Sequence, residues 1–277
     1  MELPRQVLRA VVRCAPFPGR YRLVETVGRR LGKGRTETLL LNGVRMRLDQ
    51  DNVLHRLVWY GLYEENVMNH LRRTLRPGDT VIDPGANIGY FAAECLGLVG
   101  PSGRVFSLEP SSTAFGILEN NNPSPPANWT IEQAALTDRS GEMTFFDTPR
   151  VITRGFACLE GVFEPKDRVP HPVRVFSLDD YCSSRAITEI AFLKLDIEGS
   201  ELNALCGASR LLNKGAIRTI LVETSLEAHL RPNAEAIDGL LRSAGYRSHR
   251  VERNGSLRPI DVLNSGDLRE DILWTRI

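Results

Sequence analysis

The pattern of apolar and polar residues changes near residue 79, where strand-like and helix-like segments begin to alternate. Short runs of β-branched and aromatic residues predict strands, and apolar positions three or four apart predict helices. The predicted strands in this part cover residues 80–83, 104–109, 129–135, 190–196 and 217–223. Strands that alternate with helices predict an α/β domain with a mostly parallel sheet and right-handed crossovers.

The last part of the chain breaks this alternation. Runs 246–251 and 271–275 are strand-like, Asn254-Gly255 lies between them, and no helical pattern separates them. Two strands without a crossover helix predict an antiparallel hairpin at the edge of the sheet. We therefore predict a seven-stranded, mostly parallel, Rossmann-like sheet with helices on both faces and an antiparallel edge hairpin.

One long segment inside this domain lacks periodicity. Strand-like runs at 142–146 and 173–178 enclose residues 147–172, which contain four prolines and His171. Irregular segments of this length in a compact domain are uncommon and are often functional. We predict an irregular insertion at about 147–172, with His171 as a candidate lid residue.

The first 75 residues follow a different pattern. Helical runs up to about residue 31 are interrupted by Pro16 and Pro18, and strand-like runs 36–41 and 44–48 are joined by Asn42-Gly43. Asn-Gly between two such runs predicts a β-hairpin. A further helical zone covers 52–75. We therefore predict an N-terminal cap of helices and a hairpin over residues 1–75, and the main domain over residues 76–277.

Composition narrows the class of protein. The chain has 277 residues, of which 42% are hydrophobic and 25% charged, as in ordered globular proteins. The net charge of +1 gives no electrostatic argument for a nucleic-acid partner. The five cysteines form no CxxC pair, which argues against a disulfide framework or a zinc site and favours a cytoplasmic location.

The N-terminal stretch has basic residues at helical spacing. Arg5, Arg9 and Arg13 recur four residues apart, opposite Leu8 and Val11. No apolar run reaches the length of a membrane span, and arginines interrupt the pattern that a signal peptide requires. We expect a solvated arginine face on a helix that packs against the domain, with peripheral membrane contact as the alternative.

Residues 79–91 contain the most informative motif. Asp83 ends a short apolar strand, Gly85 and Gly89 bracket a turn, and a helical pattern follows. Glycine at these positions permits unusual torsions and a close approach by a ligand. Turns at the carboxyl ends of parallel strands are where open α/β sheets bind nucleotide-like ligands. The alternative is a tight turn that holds no ligand.

The spacing of this turn discriminates among ligands. A dinucleotide fingerprint requires G-x-G-x-x-G, but Asn87 and Tyr90 stand where the second and third glycines belong. The Gly-Lys-Ser/Thr sequence of a phosphate-binding loop is also absent. The remaining pattern suits a nucleoside ligand without a pyrophosphate, such as S-adenosylmethionine.

The motifs taken together resemble the FkbM-type family of S-adenosylmethionine-dependent methyltransferases. The resemblance covers about residues 60–277, and it departs from the family pattern at Pro84, which lacks an N–H. The matching segments are 76–79, 81–90, 100–105, 109–110, 135–138, 177–180, Lys194-Leu195-Asp196-Ile197-Glu198-Gly199-Ser200-Glu201 and Glu223. The resemblance implies a class I methyltransferase fold.

The resemblance also implies which residues bind the cofactor. Asp83 would face its amino-acid end, and Gly85, Asn87 and Gly89 would form the turn beneath the adenosine. Glu109 follows the second strand, where a carboxylate accepts hydrogen bonds from ribose hydroxyls. Asp138 is a candidate contact for the adenine amino group, with a plain turn aspartate as the alternative.

Candidates for catalysis lie at the ends of the later strands. Asp196 would act as general base or as a ligand for Mg²⁺, and Glu223 is a second candidate metal ligand on the substrate side. His229 is an alternative base. The alternative for Asp196 is an ion pair with Lys194 that stabilises a half-buried strand end.

The expected reaction is transfer of a methyl group to a hydroxyl of a small molecule, natural product or glycan. The preference for a hydroxyl rests on the resemblance. N-methylation and a non-catalytic nucleoside-binding or interaction module remain open. A nicotinamide oxidoreductase lacks its glycines, and a nucleic-acid methyltransferase lacks a basic surface.

Overall fold

The computed structural model describes residues 2–14, 17–40, 43–147, 158–159, 169–225, 231–264 and 269–276. The N-terminal part contains helices and one hairpin. Its elements are α1 (Glu2–Cys14), α2 (Arg20–Leu23), a π-helical turn (Val24–Gly28), α3 (Arg29–Leu31), β1 (Arg35–Leu39), β2 (Arg45–Asp49), α4 (Val53–Tyr60) and α5 (Glu65–Thr74). The predicted hairpin is confirmed by antiparallel pairing of β1 with β2.

The remaining part of the chain alternates strands with helices and ends in three strands. Its first elements are β3 (Thr80–Pro84), α6 (Tyr90–Val99), β4 (Arg104–Leu108), α7 (Ser112–Asn121), β5 (Trp129–Glu132), β6 (Ala134–Thr137), β7 (Gly141–Asp147), β8 (Cys158–Leu159), β9 (Val169–Ser177) and α8 (Leu178–Ser184). The later elements are β10 (Phe192–Leu195), α9 (Glu201–Cys206), α10 (Ser209–Lys214), β11 (Thr219–Ser225), α11 (Arg231–Ser243), β12 (Tyr246–Val251), β13 (Leu257–Pro259), a 3₁₀ turn (Val262–Asn264) and β14 (Arg269–Arg276).

The main sheet has the strand order β13-β12-β14-β11-β10-β3-β4-β5. The strands from β11 to β5 are parallel, whereas β14 is antiparallel to both of its neighbours. This confirms the predicted α/β class with an antiparallel edge. The described sheet has eight strands instead of the predicted seven, because the Asn254-Gly255 turn leads from β12 into the short strand β13.

A second sheet has the order β6-β9-β7-β8 and corrects two predictions. The predicted strand 129–135 breaks at Gln133, so β5 and β6 belong to different sheets. Residues 169–172 of the predicted irregular insertion are part of β9 and pair with β7. Pro170 and Pro172 fit there because β6 pairs with β9 only from Arg174 onward, and prolines are tolerated at a sheet edge.

Two apolar cores cover opposite faces of the main sheet, since successive side chains of a strand point to opposite faces. Val81, Val105 and Phe192 join the first core, and their neighbours Ile82, Phe106 and Leu193 join the second. The N-terminal part contributes buried side chains to the first core. The described elements of the N-terminal part therefore cover one face of the sheet and share its core.

The orientation of α1 contradicts the predicted solvated arginine face for Arg5 and Arg9, whereas Arg13 is exposed. Arg5 is buried, with its guanidinium carbon 4.0 Å from the centre of a Trp59 ring, and that of Arg9 lies 4.6 Å away. The arginines pack inward because a guanidinium stacks favourably on an indole face while its stem covers apolar surface. Helical spacing alone does not tell whether the arginine side of a helix faces the protein or the solvent.

Candidate functional site

The turn after β3 retains its backbone hydrogen bonds although Pro84 has no N–H. The N–H groups of Gly85 and Ala86 both donate to the carbonyl oxygen of Leu108, at 2.8 and 3.0 Å. Gly85 has φ +74°, in the region that favours glycine. The departure from the family pattern at Pro84 therefore leaves the turn anchored to β4.

The two glycines of the turn are required by packing within the protein. A Cβ on Gly85 would lie 2.5 Å from the carbonyl oxygen of Asp196, and a Cβ on Gly89 would lie 2.3 Å from Leu118 Cδ1. Gly85 thus lets the turn approach the loop after β10, and Gly89 lets it approach α7. Their predicted contact with adenosine stays a prediction.

Glu109 follows β4 and connects the two neighbouring turns. Its buried carboxylate accepts a hydrogen bond from the N–H of Asn87 at 2.7 Å and from that of Ser111 at 2.9 Å. Burial raises the pKa of Glu109 to about 7, although both N–H donors act in the opposite direction. The structure brings together Asn87 and Glu109, two of the predicted cofactor residues.

Asp83 is fully buried, and neither of its carboxylate oxygens has a hydrogen-bond partner among the described residues. Burial raises the pKa of Asp83 to about 7; Lys194 lowers it, whereas Glu64 raises it further. A buried carboxylate without a partner is costly for the folded protein. Such a group indicates that a polar or cationic ligand completes the site.

Lys194 carries the positive charge of this region. Val81 and Asp83 share one face of the sheet with Phe192 and Lys194, because side chains alternate along each strand. The Lys194 ammonium lies 2.9 Å from the Asp196 carboxylate and 3.3 Å from that of Glu64. Burial acts to lower the pKa of Lys194, but attraction from these carboxylates outweighs it and holds that pKa well above its usual value.

Glu64 is a site residue that the sequence analysis missed. It precedes α5 in the N-terminal part, and burial raises the pKa of its carboxyl. Its Oε1 forms the ion pair with Lys194, whereas its buried Oε2 has no hydrogen-bond partner among the described residues. No motif near Glu64 signals this role, because it depends on a contact across the fold.

The loop between β10 and α9 is shaped by Glu201. One carboxylate oxygen of Glu201 accepts hydrogen bonds from the N–H groups of Ile197 and Gly199, at 3.0 and 3.1 Å. Burial raises the pKa of Glu201 to about 7. The sequence analysis took Glu201 only as part of the family motif; in the structure it holds the loop that begins with Asp196.

Unusual backbone torsions concentrate around the same site. Four non-glycine residues among those described have positive φ, and three of them are Glu64 (48°), Asn87 (52°) and Glu198 (53°). Each such torsion is unfavourable for a side chain and persists only when the surroundings enforce it. The three lie on separate elements that meet around Asp83 and Lys194, which is typical of a functional site.

The second sheet reaches the site through the loop after β4. Ser111 Oγ donates to Asp147 Oδ1 at 2.7 Å and caps α7, and His171 Nε2 lies 3.1 Å from the carbonyl oxygen of Pro110. Gln133 Nε2 donates to Ser112 Oγ at 2.9 Å. The sequence analysis did not assign Ser111 or Gln133 to the site, because their contacts join the two sheets.

Asp138 is not grouped with Asp83 and Glu109. It follows β6 in the second sheet, and its carboxylate contacts Thr137 Oγ1 at 3.2 Å and Arg139 at 3.3 Å. Thr137 is close-packed against Gly207, just after α9. The place beside the Glu109 loop is occupied by Gln133, since the chain changes sheets there. The predicted adenine contact of Asp138 gains no support from this geometry.

The remaining candidates have separate outcomes. Glu223 lies on β11 opposite Asp271 of β14. His229 falls in residues 226–230, outside the described residues. Over the described ranges, no group of three or more His, Cys, Asp or Glu side chains is arranged to hold a metal ion. The role of Asp196 and Glu223 as metal ligands stays a prediction.

Comparison with known proteins identifies the family. The family model of the methyltransferase FkbM domain matches residues 83–248. The 31-O-demethyl-FK506 methyltransferase FkbM of Streptomyces tacrolimicus is 30% identical over 159 residues, which cover 48% of this chain and 60% of that protein. The hexuronic acid methyltransferase AglP of Haloferax volcanii is 24% identical over 160 residues, which cover 58% of this chain and 62% of that protein.

A solved structure aligns over a larger share of the chain. The crystal structure of methyltransferase FkbM from Methylobacillus flagellatus covers 80% of this chain and 54% of its own, with a TM-score of 0.46 and 16% identity. The chain spans about three fifths of the length of the curated relatives it matches. Since the family model matches more than half of the chain, the protein belongs to the FkbM methyltransferase family.

Proposed function

We propose that this protein is an S-adenosylmethionine-dependent methyltransferase that methylates a hydroxyl group of a small molecule, natural product or glycan. The observation that carries the proposal is the buried, unpartnered carboxylate of Asp83 beside Glu109 at the carboxyl ends of β3 and β4. Ligands of open α/β sheets bind at this edge. Family membership supplies the reaction type.

The residues present fit the proposed cofactor. Asp83 has two free acceptor oxygens, which suit the ammonium of the cofactor's amino-acid end. Glu109 is held at one position by the N–H groups of Asn87 and Ser111, and its remaining lone pairs suit ribose hydroxyls. Neither carboxylate suits a pyrophosphate, whose charge would repel both.

Asp196 is the best candidate for proton removal from the acceptor hydroxyl. When bound, S-adenosylmethionine supplies an electrophilic methyl group on a sulfonium. The Asp196 side chain is 27% exposed, whereas those of Lys194 and Glu64 are 4% and 8% exposed. Asp196 is therefore the member of this charged group that an acceptor can reach. Lys194 holds its carboxylate in place, and Glu64 holds Lys194.

The relatives support an oxygen acceptor without deciding it. The name of the Streptomyces tacrolimicus relative specifies a 31-O position, and that of the Haloferax volcanii relative specifies hexuronic acid. Both matches leave more than a third of each relative uncovered. A hydroxyl acceptor, including one on a glycan, is accordingly part of the proposal, and an amine acceptor is the second candidate.

The proposal is tested in two steps. Isothermal titration calorimetry with S-adenosylhomocysteine should show binding to the wild-type protein and weakened binding to Asp83→Asn and Glu109→Gln, with Asp138→Asn as the matched control. Incubation with methyl-labelled S-adenosylmethionine and panels of alcohols, sugars and amines should then give labelled ethers. Binding without turnover would favour a non-catalytic nucleoside-binding module, labelled amines alone would exclude O-methylation, and the absence of binding would refute both.

A further inference from the structure

The inward packing of Arg5 and Arg9 leaves three apolar residues of α1 on the outside. Leu3, Val7 and Val11 are spaced four residues apart and form one stripe, which we call the α1 stripe. Their exposed fractions are 77%, 54% and 46%. Residues at this spacing lie above one another along a helix. The α1 stripe is therefore a continuous row of aliphatic side chains in water.

Exposed apolar residues are confined almost entirely to this region. Besides the α1 stripe, the large apolar side chains that are exposed among the described residues are Tyr21, Val27 and Val169. Tyr21 and Val27 belong to the helical stretch that follows α1. A single exposed apolar side chain is ordinary, but a cluster in one short segment indicates an interaction surface.

The same segment is strongly basic. The first 35 residues contain nine Lys or Arg and two Glu residues, whereas the other 242 contain 26 Lys or Arg and 32 Asp or Glu residues. The chain's net charge of +1 therefore conceals a basic N-terminal segment on an acidic remainder. The exposed cations of this segment are Arg13, Arg22, Arg29, Arg30, Lys33 and Arg35.

Some of these cations lie at the same end of α1 as Leu3. A Cβ on Gly32 would be 3.2 Å from Arg5 Nε, which shows that the chain just after α3 packs against the first turns of α1. Arg29, Arg30 and Lys33 flank Gly32 in sequence. The contact is made with Arg5, whose side chain faces inward, and not with the α1 stripe itself, so these cations lie near the first turns of α1 although they are distant from it along the chain.

We propose that the α1 stripe and its flanking cations dock this protein on an anionic lipid surface. Aliphatic side chains enter the interface between headgroups and acyl chains, while Lys and Arg attract anionic headgroups. A second copy of the chain fits less well, because a symmetric contact would bring two basic segments together. Nucleic acid fits less well, because Leu and Val offer no stacking surface for bases.

Co-sedimentation of the full chain with vesicles tests the proposal. Wild-type protein should sediment with phosphatidylcholine vesicles that contain phosphatidylglycerol and remain in solution with phosphatidylcholine alone. The triple variant Leu3→Glu/Val7→Glu/Val11→Glu should bind at least about tenfold more weakly, because it loses apolar contact and adds charge repelled by the lipid. Arg29→Gln/Arg30→Gln should weaken binding by roughly fivefold per cation.

Val169→Glu is the matched control, because it changes an exposed apolar residue outside the N-terminal segment; its binding should equal that of wild type. Unchanged melting temperatures would show that the variants fold. Equal sedimentation of wild type with both vesicle types, or undiminished binding by the triple variant, would overturn the proposal. So would a wild-type dimer that the triple variant abolishes without any vesicle binding, or RNA binding that requires the α1 stripe.

Discussion

Two regions of this molecule place charged side chains out of water in opposite ways. At the candidate site, buried Asp83 has no hydrogen-bond partner among the described residues, and the charged groups near it are carboxylates and one lysine. In the N-terminal part, Arg5 and Arg9 stack on Trp59 and face inward from a helix whose aliphatic side is exposed. In the first arrangement both carboxylate oxygens lack a hydrogen-bond partner among the described residues. In the second, the charges are met by the Trp59 ring, and Arg9 also donates a hydrogen bond to Thr38 Oγ1 at 2.8 Å.

This difference between the two regions predicts opposite effects of mutation on the stability of the protein. A charge that is buried for a ligand destabilises the free protein, so its removal should stabilise the fold and weaken binding. A charge that is buried for packing has the opposite signature, since disturbance of its partner lowers stability.

Replacement of Trp59 should cause the largest change. Trp59 is 2% exposed, belongs to the first apolar core and contacts Arg5 and Arg9 of α1. We expect Trp59→Ala to lower the free energy of unfolding by about 3–5 kcal/mol, measured by urea denaturation. Val169→Ala, at an exposed position, should change it by less than about 0.5 kcal/mol. A small effect of Trp59→Ala would mean that α1 is not anchored as described.

The ion pair between Glu64 and Lys194 should contribute less, and it links the two regions. Glu64→Gln removes one of two carboxylates beside a buried ammonium, so we expect a loss of about 1–3 kcal/mol in the free energy of unfolding. In a double-mutant cycle with Lys194→Met, the combined loss should be smaller than the sum of the single losses. Strict additivity would show that the two charges do not interact.

Asp83→Asn should affect binding and stability in opposite directions. Loss of a charged acceptor should weaken S-adenosylhomocysteine binding by about 10–100-fold, measured by calorimetry. The ligand-free variant should melt at a higher temperature than wild type at pH 8, by roughly 2–4 °C per kcal/mol of relieved desolvation. Asp138→Asn should change neither quantity. Simultaneous loss of binding and of stability would indicate a structural role for Asp83.

The pH dependence of stability should give the smallest signal. Burial raises the pKa of Asp83 from 3.8 to about 7 and that of Glu109 from 4.5 to about 7. Between about pH 4 and pH 7, Asp83 and Glu109 hold more protons in the folded protein than in the unfolded chain. Their contribution to the free energy of unfolding is therefore fully present below about pH 4 and is lost as the pH rises through about 7.

The check is a series of denaturation curves from pH 5 to pH 8. The difference in unfolding free energy between Asp83→Asn and wild type should grow in favour of the variant across this range. S-adenosylhomocysteine binding to wild type should tighten over the same interval, because the ammonium favours ionised Asp83. A stability difference that does not change with pH would contradict a raised pKa.

The features that could be predicted from the sequence are those formed by residues that lie close together along the chain. Asp83, Gly85, Asn87 and Gly89 form one turn, and Glu109 follows the next strand, so strand order alone brings them together. The hairpin of β1 and β2 followed from a two-residue turn signal. The sequence analysis explained Gly85 and Gly89 only by torsion and ligand approach. In the structure, each position also lacks room for a Cβ, because an atom of another segment of the protein lies too close.

The parts that were missed depend on contacts across the fold. Glu64 reaches Lys194 from a different part of the chain, and no local pattern announces it. Asp138 was a candidate adenine contact through the family resemblance; it follows β6 in the second sheet because the chain changes sheets at Gln133, and its contact with adenine stays a prediction. The inward face of α1 was mistaken because periodicity gives the spacing of a face but not its direction.

The position of β14 has a consequence for how the protein folds during synthesis. Residues Arg269–Arg276 lie between β11 and β12, both of which are translated earlier. In a nascent chain, the edges of β11 and β12 that pair with β14 therefore lack their hydrogen-bond partners until β14 is synthesised. Until then these two edges must avoid pairing with each other or with other proteins. A version ended at residue 248, where the family match stops, would lack the strand that bridges its own sheet.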